Sequence, residues 1–154
     1  MQDARRTFLK QGSGLFASLL ALGLFDGPMA SAEDWHRAAF EAKKLDELMR
    51  ILGATGARRS DAILINASEI AENGAVVPIQ ITSKLDKTQA IAYLVDKNPN
   101  VLAANFIIPE GTLPEIDTRL KMAQTSEVYA LVKAGGKYYF NTKEIKITLG
   151  GCGG

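Results

Sequence analysis

The chain has a single cysteine, Cys152, and it stands in the run Gly150-Gly151-Cys152-Gly153-Gly154, so four of the fourteen glycines surround the only thiol. A thiol can attack a substrate, ligate a metal, pair with another thiol or carry a group covalently. Nucleophilic hydrolysis needs a base and an orienting group held beside the sulfur. The only histidine, His36, is far upstream and reads as a solvated residue at the start of a helix. One cysteine and one histidine cannot build a multi-ligand zinc site. No lysine or arginine adjoins Cys152 to favour its thiolate. A free cysteine is usually a small buried hydrophobe, but flanking glycines offer nothing to pack. The residues point to a carrier thiol, and a tail cysteine that links two chains through a disulfide stays open beside it.

A carrier needs reach and a base. Glycine loses the most freedom on ordering and has no side chain to bury, so residues 150–154 are predicted to be a flexible, mobile coil. Directly before them, Lys143 to Leu149 alternate strictly, with Ile145, Ile147 and Leu149 on one face, as a half-buried strand does. Three residues of extended chain at ~3.3 to 3.6 Å each let Cys152 work on the order of 10 Å beyond that strand.

The elements that must form this base are legible in the periodicities. Between Asp34 and Leu52, Ala38, Ala42, Leu45, Leu48, Met49 and Leu52 follow helical spacing, and Gly53 can close the last turn, which predicts one N-terminal amphipathic helix. After Gly56 the period becomes two: Ile63 and Ile65; Val77, Ile79 and Ile81; Ile91, Tyr93 and Val95; Val128, Ala130 and Val132; then the final strand. Fainter strand patterns cover Val101 to Ile108 and Ile116 to Met122, with turn signals at Asn73-Gly74, Asn98-Pro99-Asn100, Pro109-Glu110-Gly111 and Gly135-Gly136. About seven strands after one helix, with no helix between strands to make a parallel crossover, predict an all-β, immunoglobulin-like antiparallel β-sandwich over residues 33–149.

Residues 1–32 read as a signal peptide. Arg5-Arg6-Thr7-Phe8-Leu9-Lys10 precedes an apolar run from Gly12 to Phe25, and Ala30-Ser31-Ala32 offers a cleavage site at Ala30 and Ala32. This run of fourteen residues falls short of the ~20 that span a bilayer, so no permanent membrane anchor is expected. The pair Arg5 and Arg6 followed by Phe-Leu-Lys resembles the twin-arginine export signal and places the mature protein in the periplasm. The residues after position 32 carry 15 basic and 15 acidic side chains. That balance gives no electrostatic footprint for nucleic acid, and the length suits one domain that needs neither disulfides nor a metal.

The remaining candidates are weaker. Lys43-Lys44, Arg58-Arg59 and Arg119 with Lys121 read as solvated faces rather than anion sites. Trp35, Tyr138, Tyr139 and Phe140 read as core or edge packing before they read as a partner surface. No pair of carboxylates has a spacing that marks a general acid and base.

Nearly the whole chain resembles the SoxY family, the sulfur-carrying subunits of the periplasmic Sox thiosulfate-oxidation system. The resemblance rests on the leader, on Ile70-Ala71-Glu72-Asn73-Gly74-Ala75-Val76-Val77-Pro78, on Arg119-Leu120-Lys121-Met122-Ala123-Gln124, on Val128-Tyr129-Ala130, and on Ile145-Lys146-Ile147-Thr148-Leu149 running into the Gly-Gly-Cys-Gly-Gly segment. One departure is Val101 after Asn98-Pro99-Asn100, where a second proline is expected. The resemblance implies a swinging arm: Cys152 receives thiosulfate oxidatively from a SoxAX haem enzyme as an S-thiosulfonate. SoxB then hydrolyses off sulfate, and a sulfane dehydrogenase, where present, oxidises the remaining persulfide. It also implies a SoxZ-like heterodimer partner, no resident cofactor beyond the sulfur on Cys152, and no catalysis by the chain itself. A ubiquitin-like carrier also ends in Gly-Gly, but the leader and the cysteine oppose that reading. An exported cysteine-tailed binding or assembly module is the alternative, and it requires a stable intermolecular disulfide.

Overall fold

The computed structural model describes residues 37–149. They form helices α1 (Arg37–Glu41) and α2 (Leu45–Ile51), then strands β1 (Arg58–Arg59), β2 (Ile63–Asn66), β3 (Ile70–Asn73), β4 (Val77–Ser83), β5 (Thr88–Val95), β6 (Leu102–Ile107), β7 (Glu115–Leu120), β8 (Ser126–Ala134) and β9 (Lys137–Leu149). Six strands make one sheet in the order β1-β9-β8-β5-β6, with β3 also paired to β9; β2-β4-β7 make the other. The all-β, immunoglobulin-like sandwich is as the alternation predicts, and all seven strands read from the sequence are present.

Two details differ. β1 and β3 bring the count to nine, and both pair with β9 in parallel. Neither Arg58-Arg59 nor Ile70-Ala71-Glu72-Asn73 carries an alternating apolar pattern, because each docks on an edge instead of covering the core. Their partner is the last strand in the chain, so no crossover between neighbouring strands is needed. The predicted single helix is also two. Lys44 is extended (φ −127°, ψ 144°), and the Ala42 carbonyl accepts the Val101 N–H (3.0 Å) rather than continuing a helix. The break turns each helix separately: Ala39, not Ala38, is the buried residue of α1. Gly53 does close α2, at φ +67°, where the Ala54 N–H reaches the Met49 carbonyl (2.7 Å).

The fold has three layers. Ile63, Val77, Ile79, Ile81, Ile91, Tyr93, Val95, Val128, Ala130, Val132 and Ile145 fill the space between the sheets. Ala39, Ala42, Leu48, Leu94, Val101, Leu102 and Leu131 fill a second core between the helices and the outer face of the six-stranded sheet. β5 is therefore buried on both faces, which is why Ile91 to Val95 read as a continuous apolar run. Val101 explains its own departure from the family pattern. It is fully buried and its N–H is used, and proline would lack that donor.

Candidate functional site

Cys152, Gly150, Gly151, Gly153 and Gly154 lie outside the described residues, as do Arg5, Arg6, Ala30, Ala32, Trp35 and His36. The described part of the site is the platform from which the thiol segment departs. Gly135 and Gly136, both at positive φ (55° and 75°), make the tight turn into β9. From Lys137 to Ile145, β9 pairs with β8. β8 starts at Ser126, so the last residues of β9 lose that neighbour on one edge, while on the other edge they pair with β3, through Ile70↔Lys146, Ala71↔Ile147 and Asn73↔Leu149.

Side chains and backbone fix this extension on both sides. The Lys146 N–H donates to the Glu69 carbonyl (2.8 Å). The Ile147 N–H, orphaned where β8 ends, donates to Thr125 Oγ1 (2.9 Å), and Thr148 Oγ1 donates to the Glu72 carbonyl (3.0 Å). Farther back, Lys143 Nζ reaches the Ala67 carbonyl (2.6 Å) and Asn141 Nδ2 the Ile63 carbonyl (2.8 Å), tying β9 to the β2 edge of the opposite sheet. A lysine and an asparagine on the inward face of a strand thus have stated partners rather than a catalytic task.

Two neighbouring segments complete the platform. In the turn after β3, Asn73 Oδ1 accepts the Ala75 N–H (2.8 Å), and the Gly74 carbonyl accepts the Met122 N–H (2.7 Å). The loop after β7 is clamped by Asn98, whose Nδ2 donates to the Lys121 carbonyl (2.7 Å) and whose Oδ1 accepts the Ala123 N–H (3.0 Å). The stretches 70–78, 119–124 and 145–149, scattered along the sequence, therefore meet at one end of the sandwich. Asn98, Glu69 and Thr125 were missed as site residues. Asn98 was visible only as a turn marker, and Glu69 and Thr125 carried no signal, since one acts through a backbone carbonyl and the other through a lone hydroxyl.

Of the other described candidates, Lys44, Arg58, Arg59, Arg119 and Lys121 are exposed, as solvated faces are. Lys43 Nζ is bonded to Asn100 Oδ1 (2.7 Å). Tyr139 packs against the inter-sheet core, and Tyr138 and Phe140 against the helix-side core. An apolar hollow of about 460 Å³ opens beside α2, lined by Leu45, Met49, Tyr129 and Phe140 among others. Tyr129 lies opposite Thr142, seven residues before the end of β9, hence ~20 Å or more from it at the strand rise. A thiol with a reach of about 10 Å beyond Leu149 does not return there. Among the described residues no cluster of three or more histidine, cysteine, aspartate or glutamate side chains could hold a metal, and no helix is long and apolar enough to cross a membrane.

Comparison with known proteins agrees with this geometry. The family model for the sulfur oxidation protein SoxY matches residues 48–152, a span that runs from α2 through the platform to the thiol. The solved structure of the sulfur carrier protein SoxY from Chlorobium limicola f thiosulfatophilum is similar at 34% identity and TM-score 0.61, over 70% of this chain and 95% of that one. Superoxide reductase (neelaredoxin) from Ignicoccus hospitalis shares the fold alone, at 15% identity and TM-score 0.51 over 59% of this chain and 94% of that one. No curated protein matches. With the matched span covering both the sandwich and its cysteine, the chain belongs to the SoxY family of sulfur oxidation carrier proteins.

Proposed function

We propose that the protein carries thiosulfate-derived sulfur covalently on Cys152 during periplasmic oxidation of sulfur to sulfate. The observation that supports this most directly is the construction of β9: a strand anchored on both edges up to Thr148, with the only thiol three residues beyond Leu149 among glycines. Loading forms a sulfur–sulfur bond between the Cys152 sulfur and the outer sulfur of thiosulfate. The thiol proton is released and two electrons pass, one at a time, to the haem groups of a SoxAX-like enzyme. Hydrolysis by a SoxB-like enzyme then adds water across the terminal sulfur–sulfonate bond, releasing sulfate and leaving a persulfide on Cys152. The chain supplies attachment and delivery, and its partners supply the catalysis. A SoxZ-like subunit completes the carrier as a heterodimer.

The test is intact and peptide mass spectrometry of the protein from thiosulfate-grown cells, together with turnover of a reconstituted system. S-thiosulfonate or persulfide on the peptide containing Cys152, and loss of thiosulfate-dependent turnover in Cys152→Ser with unchanged thermal stability, are the expected results. Full turnover by Cys152→Ser would refute the reading. A stable disulfide-linked species without sulfur adducts would favour the assembly module instead.

A further inference from the structure

Six large apolar side chains are markedly exposed among the described residues: Ile51, Leu64, Ile70, Val76, Ile107 and Leu113. Two of them, Ile70 (57% exposed) and Val76 (52%), lie on the single stretch that flanks the end of β9. Ile70 is the register partner of Lys146, and Val76 follows the turn whose Asn73 pairs with Leu149. Val77 pairs with Leu120 at the end of the β4–β7 ladder, which brings Val76 and the exposed Lys121, the next residues beyond that pair, to the same end of it. The turn beneath Val76 is held by the Asn73 side chain and the Gly74 to Met122 hydrogen bond, and its shape does not depend on a partner.

The short tether decides what covers this surface. An enzyme that takes the Cys152 sulfur into its active site must bring the rim of its entrance within about 10 Å of the end of β9, the length of three extended residues. The surface beside that end then lies against the rim. We infer that Ile70 and Val76, with Lys121 beside Val76, form a docking collar for the active-site entrances of the enzymes that act on Cys152, and that it fits an apolar rim. The inference rests on the carrier reading and names the surface through which carriage becomes specific. Apolar side chains covered by a partner contribute in proportion to the area they bury, and a carboxylate placed there would be buried without a counter-charge. A collar shared by several enzymes also spares the glycine segment from having to encode recognition, which its lack of side chains forbids.

The experiment compares Val76→Asp and Ile70→Asp with Leu113→Asp in the full-length heterodimer. Leu113 is equally apolar and 71% exposed, but it precedes β7, whose far end approaches the collar. The readouts are kcat/KM for thiosulfate conjugation by the haem enzyme, the rate of Cys152 with a small aromatic disulfide, and Tm. The collar variants should lose at least about tenfold in kcat/KM, with the small-molecule rate and Tm unchanged, and Leu113→Asp should match the wild type. Inserting three residues between Gly150 and Gly151 should shrink the Val76→Asp penalty, because a longer tether lets the thiol enter without collar contact. Wild-type kcat/KM in both collar variants, or an equal loss in Leu113→Asp, would overturn the inference. So would loss of the heterodimer in native mass spectrometry, which would assign the surface to the permanent subunit. Turnover by Cys152→Ser would remove the carrier reading itself, whereas an inert Cys152→Ser beside unimpaired collar variants removes only the collar.

Discussion

Tyr93 sits at the centre of the sandwich, fully buried, its ring edge-on to Phe106 with centroids 5.9 Å apart. Its hydroxyl donates to the Ile116 carbonyl of β7 (2.6 Å), so one side chain links the two sheets. Burial pushes its pKa from 10.0 up to about 12, and the charge of Asp117 acts in the same direction. The phenol must stay neutral in the folded state. Its contribution is complete below pH 10, the unfolded value, and is lost as pH rises through the folded value near 12. Tyr93→Phe should therefore cost about 1 to 2 kcal/mol at pH 7 from the lost hydrogen bond and its orphaned carbonyl. The gap to the wild type in urea unfolding should narrow above pH 10. A gap constant from pH 7 to pH 11 would show that the hydroxyl is not buried as described. Tyr129 also titrates late, near 12, through burial and its hydrogen bond to Glu127, but it is present in both proteins and cancels in the comparison.

At the scale of elements, the Asn98 clamp holds the loop of residues 121–125 to the turn after β5 and thereby supports the collar from below. Asn98→Ala removes both hydrogen bonds and should destabilise by about 1 to 2 kcal/mol, with faster amide exchange at Met122 and Ala123. Asn100→Ala, which loses only an exposed contact with Lys43, should stay within about 0.5 kcal/mol; equal effects would deny the clamp. Sequence reading succeeded where burial imposes a period. β4 alternates buried and more exposed residues along its length, and the hairpin glycines announce the turn into β9. It failed where contacts, not faces, define the element. β1 and β3 exist because the outer edge of β9 was free to pair, and the helix broke because Ala42 found a better partner in Val101, more than fifty residues later. The thiol is read from glycine spacing alone, since Cys152 lies outside the described residues. The platform was not legible, because Glu69 and Glu72 act through backbone carbonyls that every residue possesses.

For the whole molecule, β9 is the keystone: it pairs with β1, β3 and β8 and touches β2 through Asn141. The sandwich therefore cannot close until the last strand has been made, and β1 and β3 must find a partner some eighty residues away, as in folds that are slow to assemble. β7 ends its sheet with Glu115, Asp117 and Arg119 alternating along it, and such charges guard an open edge against aggregation. A fold completed late, and joined to the proposed second subunit, suits export in the folded state by the twin-arginine route, for which Arg5 and Arg6 are the proposed signal. Replacing both with lysine should leave the precursor folded and protease-resistant in the cytoplasm. If the heterodimer forms before export, its partner should be retained there with it. Fractionation that finds this double variant in the periplasm would refute the route. A periplasmic partner beside a cytoplasmic precursor would refute joint export while sparing the signal.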